Sequence, residues 1–304
     1  MNIPVEERTP YKDLTTQIEI QEIVGQGAFS TVHRGKWVDT RGTLRIVAVK
    51  ILRPANNKNN EDETQLMQRR LNRESRLWGS VDHPYVLRFL GIYQPEPSLS
   101  AMVSSFCPQG NVVTFLKNRP NINRPLMISR ISQGLNYLHS RNIIHGDLKG
   151  NNVLIQDETG IPLLSDFGRS RLLEVHGVYT TAFAGASRYL APELMAPPDT
   201  YTQAEQDNFT PNLTKESDVY GFGMVGLEIL TDKIPFAHIK LDTMIVIMVN
   251  RGRKPARPQG LGRYHDKAWD VLDRCWEGQP ASRPVIAAIV RDMPVSDNLP
   301  GRNH

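Results

Sequence analysis

Two cysteines in 304 residues, Cys107 and Cys275, are too few and too far apart for a disulfide framework. That points to a reducing compartment, the cytoplasm and also the nucleus. Long hydrophobic runs are missing as well, since the longest, residues 244–249, falls far short of the roughly 20 residues that cross a bilayer. No membrane insertion is expected. The first ten residues, MNIPVEERTP, contain no apolar core of the kind a secretion signal carries, so the sequons at Asn208 and Asn212 read as chance matches in a polar loop. Charge of one sign is not in large excess either. Lys and Arg number 36 against 32 Asp and Glu, a formal +4 that is scattered along the chain. A dedicated nucleic-acid binder concentrates its basic residues, so no nucleic acid is expected, and the small excess serves solubility and an anionic ligand. There is no internal repeat.

What remains is ordinary globular sequence, 39% hydrophobic and long enough for one large domain or two apposed lobes. Residues 18–24 and 31–37 read as strands around VGQGAFST, and residues 45–52 as a third strand rich in β-branched side chains. The polar stretch PANNKNNEDE, 54–63, reads as a turn or insert, followed by a helix over 64–79. Residues 86–93 and 99–106 read as two further strands. From Gly110 onward the pattern turns helical, with Ile128, Ile131, Leu135 and Leu138 at helical spacing, which sets a boundary near CPQGN. Residues 219–230 are apolar almost all round and predict a buried central helix, while 197–212 read as a surface insertion.

Four segments carry chemistry. GQGAFSTV, 25–32, puts Gly25 and Gly27 where a hairpin could lay backbone amides over phosphates. A strand follows those glycines where a dinucleotide-binding unit needs a helix. VAVK ends an apolar strand on Lys50. Glu74 shares a helical stripe with Met67, Leu71 and Trp78, so its carboxylate either pairs with a cation, for which Lys50 is the candidate, or reaches to water from the edge of the stripe. HGDLKGNN, 145–152, precedes a short apolar run and a turn, and DFG, 166–168, follows. Asn152 and Asp166 then supply the hard oxygen ligands that Mg²⁺ prefers, at one end of a small hairpin. Asp147 is placed to orient or deprotonate a hydroxyl, and Lys149 to neutralise a phosphoryl group in transfer.

Taken in order, GQGAFSTV, VAVK, Glu74 in NRESRLW, HGDLKGNN, DFG, APE at 191–193, SDVYGFG at 217–223, CW at 275–276 and RP at 283–284 resemble a protein kinase domain over residues 18–293. The resemblance implies an α+β, bilobal fold. Its N-lobe, 18–106, is a small antiparallel sheet with one key helix; a hinge covers 105–110; the C-lobe, 110–293, is mainly helical. Residues 1–17 are then an N-terminal extension and 294–304 a C-terminal tail. It further implies ATP and Mg²⁺ as cofactors and protein substrates as partners. By the same resemblance Lys50 grips the phosphates and pairs with Glu74, Asp147 is the catalytic base assisted by Lys149, and Asn152 and Asp166 hold the metal. Val24, Gly25, Gly27, Ser30, Val32, Ala48, Lys50, Ser104, Ser105, Cys107, Leu154 and Asp166 would line the nucleotide site, with Ser104 as a small gatekeeper. Glu193 should pair with Arg283, and Asp218 should brace the catalytic-loop backbone. Lys149, together with the CW and RP pairs, is similar to the tyrosine-kinase-like Ser/Thr group.

Three positions depart from the family pattern. Gly146 stands where an arginine usually receives an activation-loop phosphate, Ala186 where a threonine is usual, and Ser30 where a third glycine is usual. Phosphates at Tyr179, Thr180 or Thr181 would therefore lack that arginine, although Arg169 or Arg171 could substitute for it. The alternatives are a non-catalytic pseudokinase scaffold and a tyrosine or dual-specificity kinase. A small-molecule kinase shares the His-Gly-Asp triplet but not APE, SDVYGFG or the CW and RP pairs.

Overall fold

The computed structural model describes residues 11–27, 30–52, 61–96, 99–117, 119–167, 187–195, 212–259, 261–262 and 265–294. Tyr179, Thr180, Thr181, Ala186, Arg169, Arg171 and Asn208 lie outside the described residues, as do most of the segments 54–63 and 197–212. Two compact units are present, Met1–His83 with Leu87–Cys107, and Pro84–Val86 with Pro108–His304.

The first unit is built on an antiparallel sheet in the order β1-β2-β3-β5-β4. Its strands are β1 (Ile18–Gln26), β2 (Ser30–Val38), β3 (Leu44–Leu52), β4 (Phe89–Glu96) and β5 (Leu99–Ser105), and helix α1 (Glu61–Gly79) separates β3 from β4. Strand β1 runs past the expected end because pairing continues into the glycine tip, Gly25 opposite Val32 and Gln26 opposite Thr31. Helix α1 starts inside the segment expected as an insert. Its opening residues, Glu61, Asp62 and Glu63, are acidic and favour a helix N-terminus. Strand β4 begins later than expected: Val86 belongs to the second unit, where it makes an isolated parallel bridge to Leu164.

Successive strand residues alternate between faces, so β3 and β5 present Val47, Val49, Ala101 and Val103 to one side. There they form a buried core with Trp37 and Leu14. Leu14 belongs to the stretch placed ahead of the domain on sequence grounds, and that stretch is bound to the sheet as a strap. The Leu14 amide donates to the Ile92 carbonyl at 2.9 Å and the Ile92 amide to the Lys12 carbonyl at 2.9 Å. The Tyr11 hydroxyl donates to Asn72 Oδ1 of α1 at 2.5 Å, and Trp37 Nε1 to Gln17 Oε1 at 3.1 Å. Gly91 makes the close approach possible, since a Cβ there would run into the Lys12 carbonyl.

The second unit contains α2 (Val112–Leu116), α3 (Arg124–Ser140), the hairpin β6 (Val153–Ile155) and β7 (Pro162–Leu164), α4 (Lys215–Thr231), α5 (Asp242–Asn250), α6 (Asp266–Cys275) and α7 (Ile286–Asp292). Helix α3 starts where the Asn123 side chain accepts the Leu126 amide, with Pro125 in the first turn, where its missing N–H costs nothing. A capping box between Thr214 and Ser217 opens α4. Its residues from Ser217 to Leu230 are buried all round because it packs against α3, α6 and α2. Arg124 fixes its far end through a two-pronged pair with Asp232 at 2.8 and 2.7 Å. Glu193 and Arg283 form a second fork, at 2.7 Å on both arms, and the Arg283 side chain is fully enclosed. Among the described residues no helix is long and apolar enough to cross a membrane.

Candidate active site

Between α3 and β6 the chain passes through HGDLKGNN, irregular until a 3-10 turn at Gly150–Asn152, and a buried carboxylate from α4, Asp218, holds its first residues. Asp218 Oδ2 accepts the His145 amide at 2.7 Å and lies 2.9 Å from His139 Nε2, while Oδ1 accepts the Gly146 amide at 2.8 Å. To present both amides to one carboxylate the backbone turns through φ +77° at residue 146, a left-handed conformation that suits glycine and strains other residues. This is a local reason for glycine at a place where the family resemblance expects arginine. His145 is fully buried, and burial pushes its pKa down against the pull of Asp218, Asp147 and Asp166. Its neutral ring accepts the Asp147 amide at Nδ1, 3.3 Å away, which places the ring proton on Nε2.

This bracing aims Asp147. Its Oδ2 accepts from Lys149 Nζ at 2.9 Å and from Asn152 Nδ2 at 3.0 Å, and Asn152 Nδ2 also donates to the Asp147 carbonyl at 2.7 Å. Both of these Asn152 bonds leave through Nδ2, and its Oδ1 is a hard oxygen of the kind that suits Mg²⁺. The ladder β6–β7 pairs Val153 with Leu164, and Ser165 bonds back to the Asn152 carbonyl through its amide at 2.9 Å and its hydroxyl at 3.0 Å. Asn152 and Asp166 therefore lie at the same end of the hairpin. Asp166 is exposed, and its backbone is left-handed at φ +56°. One amide oxygen and one carboxylate are hard donors that suit Mg²⁺, an ion that takes one or two protein ligands and completes its shell with phosphates and water. Leu154 lies on β6, bridged to Asn111.

The first unit gathers the other expected residues by strand register. Val32 lies opposite Lys50, Lys50 opposite Met102, and Ala48 opposite Ser104. Directly opposed residues share a face, so Val32, Ala48, Lys50 and Ser104 lie together on the face away from the Leu14 core, with Gly25 beside Val32. Val24 is exposed at the register shift between Ile23 and Gly25, and the Gly27 amide closes the tip by donating to the Ser30 carbonyl at 2.8 Å. Ser105, opposite Val47, points to the other face, and Cys107 follows just beyond. Burial pushes the Cys107 thiol up to about 12, so it is no nucleophile at neutral pH. Glu74 is half-buried on α1, one residue before the fully buried Ser75.

Two polar groups beside the catalytic loop escaped the reading from sequence. Tyr189 donates its hydroxyl to Glu228 Oε2 at 2.8 Å, and the Gly150 amide also bonds that carboxylate. Burial raises the pKa of both side chains. Glu228 had left a signal, as the one carboxylate inside the apolar run 219–230. A cleft next to Asp147 and Lys149 is walled by Tyr189, Leu190, Leu194 and Leu213.

Comparison with known proteins bears on the family of the chain. Residues 18–293 match the family described as Protein tyrosine and serine/threonine kinase. The chain is 29% identical to Serine/threonine-protein kinase STY17 of Arabidopsis thaliana, over 95% of this chain and 46% of that protein. It is 29% identical to Dual specificity protein kinase shkC of Dictyostelium discoideum, over 99% and 56%. To the Raf homolog serine/threonine-protein kinase of Caenorhabditis elegans it is 30% identical, over 92% and 33%. The chain thus spans about half the length, or less, of these relatives.

Proposed function

The chain belongs to the protein tyrosine and serine/threonine kinase family, and on that premise we propose that it transfers the γ-phosphoryl group of ATP, with Mg²⁺, to serine and threonine hydroxyls of protein substrates. The observation that carries this reading is the Asp147 carboxylate, held by Lys149 and Asn152 on a loop clamped to Asp218. Asp147 orients the acceptor hydroxyl and takes its proton, a contribution of roughly 10²–10⁴ in rate for a placed base. Lys149 keeps its ammonium beside that carboxylate, where it faces the negative charge of the transferring group. When bound, Mg²⁺ would neutralise phosphate charge, held by Asn152 and Asp166. Lys50, on the same sheet face as Val32 and Ala48, grips the phosphates, and the small buried Ser104 leaves room behind the base. Lys149 favours Ser/Thr over tyrosine acceptors, in keeping with the names of two of the relatives above.

The test is incorporation of labelled phosphate from Mg·ATP into a generic protein acceptor, followed by acid hydrolysis of the product. Phosphoserine and phosphothreonine are expected. Phosphotyrosine alone would overturn the acceptor assignment.

A further inference from the structure

Arg188 is part of the GASRYLAPE stretch, next to Tyr189, yet its side chain turns away from the cleft beside Asp147. It is largely enclosed, with 13% of the side chain exposed. Its Nη1 donates to the carbonyls of Pro235 and Phe236, both at 2.9 Å, and its Nη2 to the carbonyl of Ile239 at 2.9 Å. The Asp242 carboxylate, at the start of α5, completes the set at 3.2 Å. A planar fork serving three carbonyls and a carboxylate is a task for arginine, since a lysine ammonium cannot span them in one plane. The loop it holds is constrained as well: Phe236 is buried at φ +53°, a left-handed conformation rare outside glycine. On the other flank Tyr189 is tied to Glu228 of α4. Residues 187–190 are therefore pinned from two sides, and Tyr189 and Leu190 form the wall that faces Asp147 and Lys149.

We propose that Arg188 is a positioning residue for the protein substrate: it fixes the wall of the cleft along which the acceptor segment must lie for its hydroxyl to reach Asp147. The proposal rests on the protein kinase reading given above. The bonds of the Arg188 guanidinium run to residues 235–242 and not to Asp147, so its loss should weaken the hold on the protein acceptor and spare the nucleotide.

Initial rates of wild type, Arg188→Lys and Asp242→Asn are measured against myelin basic protein and, separately, against Mg·ATP, with thermal melts of each protein. The expected result is a KM for the protein acceptor raised about tenfold in Arg188→Lys and about threefold in Asp242→Asn, with the KM for Mg·ATP within about twofold of wild type. Unchanged acceptor KM in both folded variants would overturn the proposal, as would equal rises in both KM values. If Arg188→Lys fails to fold, Asp242→Asn decides, because Asp242 is 46% exposed and marks the outer end of the same fork. Absence of any transfer by wild type would instead overturn the kinase reading, and this inference with it.

Discussion

Asp218 Oδ1 accepts the Gly146 amide at 2.8 Å, and Gly146 reaches it through a left-handed backbone, φ +77°. Two more donors, the His145 amide and the His139 ring, share the carboxylate. Asp218→Ala would leave all three donors without this acceptor, two of them buried and the Gly146 amide partly so, at about 1–3 kcal/mol for each buried one and not fully additive. A loss of at least about 3 kcal/mol is expected by urea denaturation; a loss below about 1 kcal/mol would show that the loop is held by other means.

Gly146→Ala should cost about 1–2 kcal/mol of stability for the left-handed backbone. Since glycine offers no guanidinium, phosphate at Tyr179, Thr180 or Thr181 has no partner at this position, and kcat should differ less than about threefold between phosphatase-treated and loop-phosphorylated enzyme. A hundredfold rise, about 2.7 kcal/mol of barrier, would reveal a phosphate switch that works without it.

Leu14 is fully buried in the core of the sheet although it precedes the first strand. Leu14→Ala is expected to lower stability by about 2–5 kcal/mol, with the exposed neighbour Thr16→Ala within about 0.5 kcal/mol of wild type. Equal effects at the two positions would mean that the strap is not docked in solution.

The parts of the molecule legible in sequence are those whose chemistry is local. The cluster in HGDLKGNN was legible because Asp147, Lys149 and Asn152 bond to one another within six residues of chain. The central helix was equally plain, since residues 219–230 have no polar face. The strap was not. Residues 11–17 contain one leucine among polar residues, and the partner of that leucine is the backbone of Ile92, remote in sequence. Arg188 stayed hidden for a related reason, because three of its four partners are backbone carbonyls, which have no residue signature. Val86 was misread as the start of a strand because an apolar residue pairing once, with Leu164, has the same local pattern as one that continues a ladder.

Burial depresses the pKa of His145, and also of His83 and His265. A histidine with a folded pKa below its unfolded value binds its proton more tightly when unfolded. The stability it contributes is full above the unfolded value, near pH 6.5, and is lost as pH falls through the folded one. Stability should therefore drop as pH falls below about 6.5, by at most about 1.4 kcal/mol per pH unit from the buried His145 and by less from the half-exposed His83 and His265, and the drop should shrink in His145→Gln and in His83→Gln. A slope identical to wild type in both variants would contradict this assignment.

The central claim is that Asp147, held by Lys149 and Asn152, performs phosphoryl transfer. It is tested most directly by comparing wild type with Asp147→Asn for the rate of phosphate transfer from Mg·ATP to a protein acceptor, alongside the thermal shift that Mg·ATP produces in each. The predicted result is equal nucleotide stabilisation and a transfer rate lower in the variant by about 10²–10⁴. Nucleotide stabilisation with no transfer by either protein would contradict the claim and leave a nucleotide-binding scaffold in its place.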